Sequence, residues 1–256
     1  MTPGDPQFVT VGTGVDSRRI AVRTVPGRDP AVVWLGGFRS DMESTKALAL
    51  AEWAEASGQA MVRFDYSGHG VSDGRFEDGT ISRWRDDAMA VIEALAGPAP
   101  LLVGSSMGAW ITLLVARTLR AAGRPAHGLV LIAPAADFTE TLMWDRFAPA
   151  VRAQILETGL WLRPSAYGDE PYPITRGLIE DGRRNLVLDG PIATGCPIHI
   201  LQGMQDEDVP WRHAMRLVEH LPGEEVVATL VRDGDHRLSR PQDIARLVDA
   251  VAAMVR

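Results

Sequence analysis

One stretch near the middle of the chain constrains the fold more than any other. Residues 100–103 form an apolar run that ends at Gly104, and a longer apolar run begins directly after Ser106. The first run is typical of a buried strand, and the second has the length and composition of a buried helix. A chain that passes from strand to helix within so few residues must turn sharply. Such a turn strains the backbone at Ser106 and requires glycine on both sides of it, at Gly104 and Gly108.

The spacing Gly104-x-Ser106-x-Gly108 is that of a nucleophile elbow, in which a serine lies at the end of a strand, beside the free N–H groups of a helix N-terminus. The pattern alone is not specific, because residues 70–74 have the same spacing around Ser72. Ser72 lies in a polar segment that no apolar helix follows, so we interpret it as part of a loop. We therefore predict that Ser106 is the nucleophile of a serine hydrolase, the alternative being a small residue at a tight turn.

Along most of the chain, short apolar runs alternate with longer helix-like ones. The predicted strands are residues 8–11, 19–25, 31–35, 60–65, 100–104, 128–134, 197–202 and 225–231, and the predicted helices are 44–57, 81–95, 107 to about 123, 211–220 and 241–255. These repeated units predict an α/β fold, with a mostly parallel eight-stranded sheet and helices on both faces. Alternating polarity in residues 19–25 is typical of an antiparallel edge strand. The length of 256 residues suits one large α/β domain, so we expect residues 1–256 to form a single domain.

Residues 138–188 interrupt this alternation. They contain predicted helical pieces at 139–147, 150–157 and 175–186, a turn-rich middle at 163–173, and many large apolar side chains, Met143 and Trp144 among them. An insertion of this length predicts a helical lid over the site, the alternative being extra helices that only enlarge the core. We expect Met143 and Trp144, together with Trp110 near the elbow, to line an acyl pocket.

A serine hydroxyl needs a base to remove its proton, and the base needs a carboxylate to orient it. Behind a nucleophile elbow these partners follow in the order acid, then histidine. His236 lies in the loop after the last predicted strand, and we predict it to be the base. His69 also lies in a loop but precedes Ser106. The remaining histidines lie on or beside predicted strands and helices and are expected to be structural or solvated: His127, His199, His213 and His220.

The loop 203–210 offers three carboxylates after the preceding strand. Asp206 is the predicted acid because it comes directly after the strand, whereas Asp208 precedes the Val-Pro that leads into a helix. Asp137, after the strand before that, remains an alternative because some hydrolases carry the acid there.

The tetrahedral intermediate needs hydrogen-bond donors for its oxyanion. The backbone N–H of Met107, directly after the nucleophile, is one predicted donor, and the N–H of Phe38 in the loop after the 31–35 strand is the other. Gly37 would let the backbone approach the substrate, although an ordinary tight turn would need the same glycine.

Composition excludes several function classes. The net charge is −7 and no long Lys/Arg cluster occurs, which argues against a nucleic-acid partner. No apolar run is long enough to span a bilayer, and the N-terminus carries no signal-peptide pattern. Cys196 is the one cysteine, so it cannot form a disulfide within the chain, and we expect a buried or half-buried thiol. Together these features predict a soluble, cytoplasmic protein.

The chain carries no recognisable cofactor motif. No GxGxxG follows a strand, and no phosphate-binding Gly-Lys-Ser/Thr motif occurs. Asp233, Asp235 and His236 are neighbours, but no second histidine or carboxylate has a convincing metal-ligand spacing. We therefore expect neither a cofactor nor a metal ion.

Five segments carry recognisable motifs: 37–42 with 45–47, 64–70, 104–108, 133–138 and 235–239. Together they resemble the α/β-hydrolase superfamily. Within it they resemble the group of the mitochondrial abhydrolase that is a palmitoyl-protein thioesterase and acyl-glucuronide esterase, with its bacterial relatives. The resemblance implies hydrolysis of carboxylic esters or thioesters of hydrophobic acyl groups, in small-molecule or acyl-protein substrates. The N-terminus lacks a transit-peptide-like pattern, so the mitochondrial location is not carried over.

The leading hypothesis is that Ser106 attacks an ester or thioester carbonyl and forms an acyl-enzyme. Two alternatives remain open. The fold could support another reaction, such as amide hydrolysis, C–C bond hydrolysis or perhydrolysis, or it could bind a ligand without turnover. Dehalogenase and epoxide-hydrolase chemistry is disfavoured, because it needs an aspartate where Ser106 stands. The sequence indicates no oligomeric state.

Overall fold

A mostly parallel sheet forms the centre of the molecule. The computed structural model describes residues 5–164, 171–223 and 225–256, and within these residues eight strands form one sheet in the order β1-β2-β4-β3-β5-β6-β9-β10. These strands are β1 Gln7–Val11, β2 Arg18–Val25, β3 Arg28–Leu35, β4 Gln59–Phe64, β5 Leu101–Ser105, β6 Gly128–Ile132, β9 Ile198–Gly203 and β10 Val226–Val231. The predicted fold class is confirmed.

Strand β2 differs from its prediction in one respect. It pairs antiparallel with β1 on one side and with β4 on the other, so β1 and not β2 lies at the edge. The alternating polarity was therefore a correct sign of an antiparallel strand but not of an edge strand. The other pairings in the sheet are parallel.

Helices lie on both faces of the sheet and within the 138–188 segment. They are α1 Thr45–Ser57, α2 Ile81–Leu95, α3 Met107–Ala121, α4 Pro149–Thr158, α5 Arg176–Arg183, α6 Trp211–Glu219 and α7 Pro241–Met254, of which α4 and α5 belong to the 138–188 segment. Alternate residues of a strand enter opposite layers of the core: in β3, Val33 packs with α2 and α3, whereas Val32 packs with α1 and α7. Both layers are buried, which explains why the central strands are continuously apolar. Cys196 is buried, as predicted.

The segment 138–188 is built from short elements. It begins with a π-helix at Thr139–Met143 and a 3-10 helix at Trp144–Arg146, continues with α4, and ends with α5. Between the helices lies an antiparallel hairpin of β7 Leu160–Arg163 and β8 Tyr172–Thr175, which the sequence pattern did not predict. Its strands have four residues each, too few for a clear alternation. Part of the predicted turn-rich stretch 163–173, residues 165–170, lies outside the described residues.

Candidate active site

Ser106 occupies the single residue between β5 and α3, with φ 56° and ψ −116°. This left-handed conformation is uncommon for a residue other than glycine and is typical of strained functional sites. A Cβ on Gly108 would lie 2.0 Å from the carbonyl oxygen of Leu35, and one on Gly104 would lie 2.3 Å from Thr112 Oγ1. Glycine is thus required at both positions because the helix packs directly against β3 and β5.

The loop that follows β3 runs against Ser106. A Cβ on Gly37 would come within 3.5 Å of Ser106 Cβ and 3.3 Å of the Ser105 carbonyl oxygen. The next residue, Phe38, and the first residue of α3, Met107, each carry a backbone N–H near this point. Among the described residues, neither N–H donates a hydrogen bond to a protein acceptor. The role of both N–H groups as oxyanion donors stays a prediction.

His236 lies in the loop after β10, and Asp206 lies in the loop after β9. His236 Nδ1 is 2.8 Å from Asp206 Oδ2. The carboxylate of Asp206 is fully buried, and its other oxygen accepts a 2.7 Å hydrogen bond from the Val209 N–H. Since the carboxylate orients Nδ1 as a donor, Nε2 is the atom left to accept a proton.

The two alternative acids have different surroundings. The carboxylate of Asp137 accepts hydrogen bonds of 2.9 Å each from the N–H groups of Val187 and Leu188, so it anchors the end of the 138–188 segment. Asp208 is exposed and lies beside the predicted pair. Its carboxylate, that of Asp206 and the His236 ring bring ligand atoms within 4.8 Å of one another, a spacing that could also admit a metal ion. Sequence spacing did not reveal this cluster, and the absence of a metal site stays a prediction.

Ser106 and His236 both line a cavity of about 910 Å³. The 138–188 segment supplies much of its apolar surface, in Phe138, Leu142, Met143, Phe147 and Trp161. Of the predicted pocket residues, Gly37 and Met143 line the cavity.

Two predicted pocket residues are not among the described residues that line the cavity. Trp110 is fully buried in the core, where its Nε1–H donates a 3.1 Å hydrogen bond to the Asn185 carbonyl. Trp144 lies between two arginines, with the guanidinium carbons of Arg183 and Arg152 at 4.7 and 5.6 Å from its ring centroid. Nearness in sequence to Ser106 or to Met143 does not predict which side chains line the cavity, because successive helical residues point in different directions.

The amino-acid sequence is similar to those of known proteins over nearly the whole chain. The sequence profile described as "Alpha/beta hydrolase family" matches residues 25–248. The chain belongs to this family. It is 34% identical over 243 residues to the human palmitoyl-protein thioesterase ABHD10, mitochondrial, covering 94% of this chain and 78% of the relative. The protein is therefore an enzyme of the hydrolase class.

Solved structures agree with this assignment. One is a protein from Agrobacterium vitis S4 that is named simply as a hydrolase. It superposes on this chain with a TM-score of 0.95 and is 50% identical to it in sequence, and the match covers 98% of this chain and 99% of that one. Mouse ABHD10 superposes with a TM-score of 0.86 at 29% identity, covering 97% and 98% of the two chains. No helix within the described part of this hydrolase is long and apolar enough to cross a membrane. The curated relatives are named mitochondrial, and the location of this chain stays a prediction.

His69 contacts the Phe38 loop of the hydrolase. Its Nε2 accepts a 3.2 Å hydrogen bond from the backbone N–H of Arg39, and its Nδ1 lies 3.3 Å from the Ser67 carbonyl oxygen. Burial lowers the pKa of His69 to about 4, so the ring is neutral and Nε2 stays an acceptor at neutral pH. The side chain thereby holds the residue after Phe38, which has φ 59°. Chain order excluded His69 as a base but could not reveal this supporting contact.

Lys46, in the first turn of α1, contacts the His236 loop in a similar way. Its Nζ donates a hydrogen bond to the carbonyl of Arg237, the residue after His236. Burial lowers the pKa of Lys46 to about 8, against the opposing effect of the Asp235 carboxylate. This contact could not be predicted from local patterns, because 191 residues separate the two partners.

Proposed function

We propose that this protein is a serine hydrolase that cleaves carboxylic esters or thioesters of hydrophobic acyl groups, with Ser106 as nucleophile, His236 as base and Asp206 as the orienting acid. One observation carries the proposal. A histidine that is hydrogen-bonded to a buried carboxylate lines the same cavity as a strained serine at a strand–helix junction. The assigned residues follow parallel strands β5, β9 and β10, whose carboxyl ends meet at one edge of the sheet.

The reaction proceeds in two halves. His236 Nε2 takes the proton of Ser106 Oγ as this oxygen attacks the substrate carbonyl carbon. The N–H groups of Phe38 and Met107 then stabilise the oxyanion. Collapse of the tetrahedral intermediate breaks the bond to the alcohol or thiol, which leaves with the proton from His236. His236 next removes a proton from a water molecule, whose oxygen attacks the acyl-enzyme and releases the acid.

The apolar side chains that line the cavity favour a substrate with a hydrophobic acyl group. Met143, Phe147 and Trp161 come from the 138–188 segment, and Gly37 lets substrate approach the proposed oxyanion donors. The contribution of this segment to the cavity favours a lid over a mere enlargement of the core. The human relative is named a palmitoyl-protein thioesterase, and the palmitoyl group in that name is a hydrophobic acyl group of the kind proposed for this cavity.

The test compares two serines with the same local spacing. We expect Ser106→Ala to abolish labelling by a fluorophosphonate probe and hydrolysis of 4-nitrophenyl esters. Ser72→Ala, whose Oγ bonds to the backbone of Ala21 and Asp65, should keep both activities. Retention of labelling and hydrolysis in Ser106→Ala would overturn the proposal.

A second panel separates the proposed reaction from the alternatives. Oxygen-ester, thioester and amide analogues of one acyl group, extended to a series of acyl-chain lengths, would report the bond and the chain that are preferred. We expect turnover of the ester and thioester and much slower turnover of the amide. Binding without turnover across the whole panel would instead indicate a ligand-binding protein.

A further inference from the structure

Among the described residues, the lining of the cavity that holds Ser106 carries more positive than negative side chains. Five cationic side chains of the described part of the chain line it, against the two carboxylates of Glu207 and Asp208: Arg39, Lys46, Arg146, Arg163 and Arg237. The whole chain has a net charge of −7, so this local balance is opposite to that of the protein. A hydrophobic acyl group alone would not require it, because apolar surface gains nothing from nearby cations.

Two of these arginines are held by one aromatic ring. The guanidinium carbons of Arg39 and Arg163 lie 5.0 and 5.9 Å from the ring centroid of Tyr172. The ring in turn packs edge-on against Phe38, at a centroid distance of 5.9 Å. Arg39 follows Phe38 directly, whereas Arg163 and Tyr172 pair across the β7–β8 hairpin. The ring therefore brings together one arginine from the proposed oxyanion loop and one from the 138–188 segment.

Neither guanidinium is paired with a described carboxylate. Within residues 5–164, 171–223 and 225–256, no carboxylate oxygen lies within 4.0 Å of a guanidinium nitrogen of Arg39 or Arg163. Elsewhere arginines on the surface do find such partners, as Arg23 does with Glu43 at 2.7 Å and Arg240 with Asp233 at 2.8 Å. Stacking on a ring fixes a guanidinium without using its planar N–H donors, which match the oxygens of a carboxylate or phosphate.

We propose that Arg39 and Arg163, stacked on Tyr172, form a subsite for an anionic group, a carboxylate or a phosphate, carried by the substrate. The proposal rests on the proposed function, because it assigns the substrate class of the same cavity. The substrate then has two recognised parts, an apolar part against Met143 and Phe147 and an anionic part against the two arginines.

The anion could belong to the acyl group or to the leaving group, and two pairs of substrates distinguish these sources. The first pair is 4-nitrophenyl suberate with a free terminal carboxylate and its terminal methyl ester. The second is S-octanoyl-coenzyme A, whose leaving group carries phosphates, and the neutral S-octanoyl-N-acetylcysteamine. In at least one pair we expect kcat/KM of the anionic member to exceed that of the neutral member by about tenfold at low ionic strength. The preference should shrink as salt is added.

Substitutions then assign the preference to the two arginines. Arg39→Gln and Arg163→Gln should each lower the anionic-to-neutral ratio of kcat/KM by roughly tenfold, mainly through KM, since the contact exists in the bound substrate. Arg39→Lys and Arg163→Lys keep the charge and should recover part of the ratio. The matched control is Arg212→Gln, because Arg212 also stacks on a ring, that of Trp211 at 4.4 Å, but lies outside the described cavity lining.

The outcomes separate the two proposals. If Ser106-dependent hydrolysis occurs but neither pair is discriminated, the subsite is wrong and the proposed function stands. The subsite is also wrong if Arg212→Gln changes the ratio as much as the two cavity substitutions do. If no member of either pair is hydrolysed and no acyl-enzyme forms, the proposed function fails and the subsite fails with it.

Discussion

The two sides of the cavity are built in different ways. On one side, Ser106, Asp206 and His236 follow parallel strands of the central sheet, and neighbouring hydrogen bonds hold their loops. On the other side, the 138–188 segment contributes single helical turns and two strands of four residues, with many partly exposed side chains. The central sheet therefore positions the proposed catalytic groups, while short elements form the cavity wall that we propose contacts the substrate. Such elements tolerate change, so substrate choice can vary while the reaction type is kept.

The largest expected effect tests the rigid side through its acid. Asp206→Asn should lower kcat by roughly 10⁴-fold, because the amide no longer holds His236 in the tautomer that accepts a proton at Nε2. Asp208→Asn is the matched control, because Asp208 lies two residues after Asp206 in the same loop but has an exposed side chain. We expect it to change kcat by less than about tenfold. Steady-state hydrolysis of a 4-nitrophenyl ester measures both. Equal losses in the two variants would remove Asp206 from its assigned role.

The elbow itself should be intolerant of a single methyl group. In Gly108→Ala the new Cβ would lie 2.0 Å from the Leu35 carbonyl oxygen, so the helix must shift against β3. We expect the free energy of unfolding to fall by about 3 kcal/mol or more. Gly190→Ala is the control, because nothing lies within 4 Å of a Cβ at that position. Urea unfolding followed by tryptophan fluorescence would compare the two. A loss below about 1 kcal/mol in Gly108→Ala would contradict the tight packing of α3 on β3.

The contact between His69 and the Phe38 loop predicts a pH dependence. Burial lowers the folded-state pKa of His69 to about 4, below the unfolded value of about 6.5, so the unfolded chain binds more protons between these values. The contribution of His69 to stability is therefore fully present above about pH 6.5 and is lost as the pH falls toward 4. The loss is up to about 3 kcal/mol, at roughly 1.4 kcal/mol per pH unit.

His69→Phe isolates this contribution, because the ring is kept against Phe76 and Trp84 but cannot be protonated. We expect its free energy of unfolding to vary less than that of the wild type between pH 6.5 and 4. Two other histidines also have a lowered pKa from burial, His199 and His213, so the difference between the two proteins is the informative quantity. Parallel curves would mean that His69 does not titrate in this range.

The same contrast explains which features could be predicted from the sequence. The strand–helix junction at Ser106 and the alternation of strands and helices around it follow from local patterns: a buried strand, a helix of sufficient length and glycines at sites of close approach. The assignment of His236 as the base rests on chain order and stays a prediction. The stacking of Arg39 and Arg163 on Tyr172 could not be predicted, because it joins a loop near the N-terminus to a hairpin far along the chain. The hairpin was missed because strands of four residues leave little periodicity. The hydrogen bond of the buried Trp110 could not be predicted, because its acceptor, Asn185, is distant in sequence.

The smallest expected effect tests the variable side, with two adjacent residues of the 138–188 segment. Met143 lines the cavity, so Met143→Ala should lower kcat/KM for long-chain esters relative to short-chain esters by about tenfold, the effect of losing apolar contact with part of the chain. Trp144→Ala removes a larger side chain that lies between Arg152 and Arg183 and should leave the chain-length preference unchanged. An acyl-chain-length series measured on both variants gives the comparison. If Trp144→Ala alters the preference as much as Met143→Ala does, substrate selection depends on the packing of the whole segment and not on the residues that face the cavity.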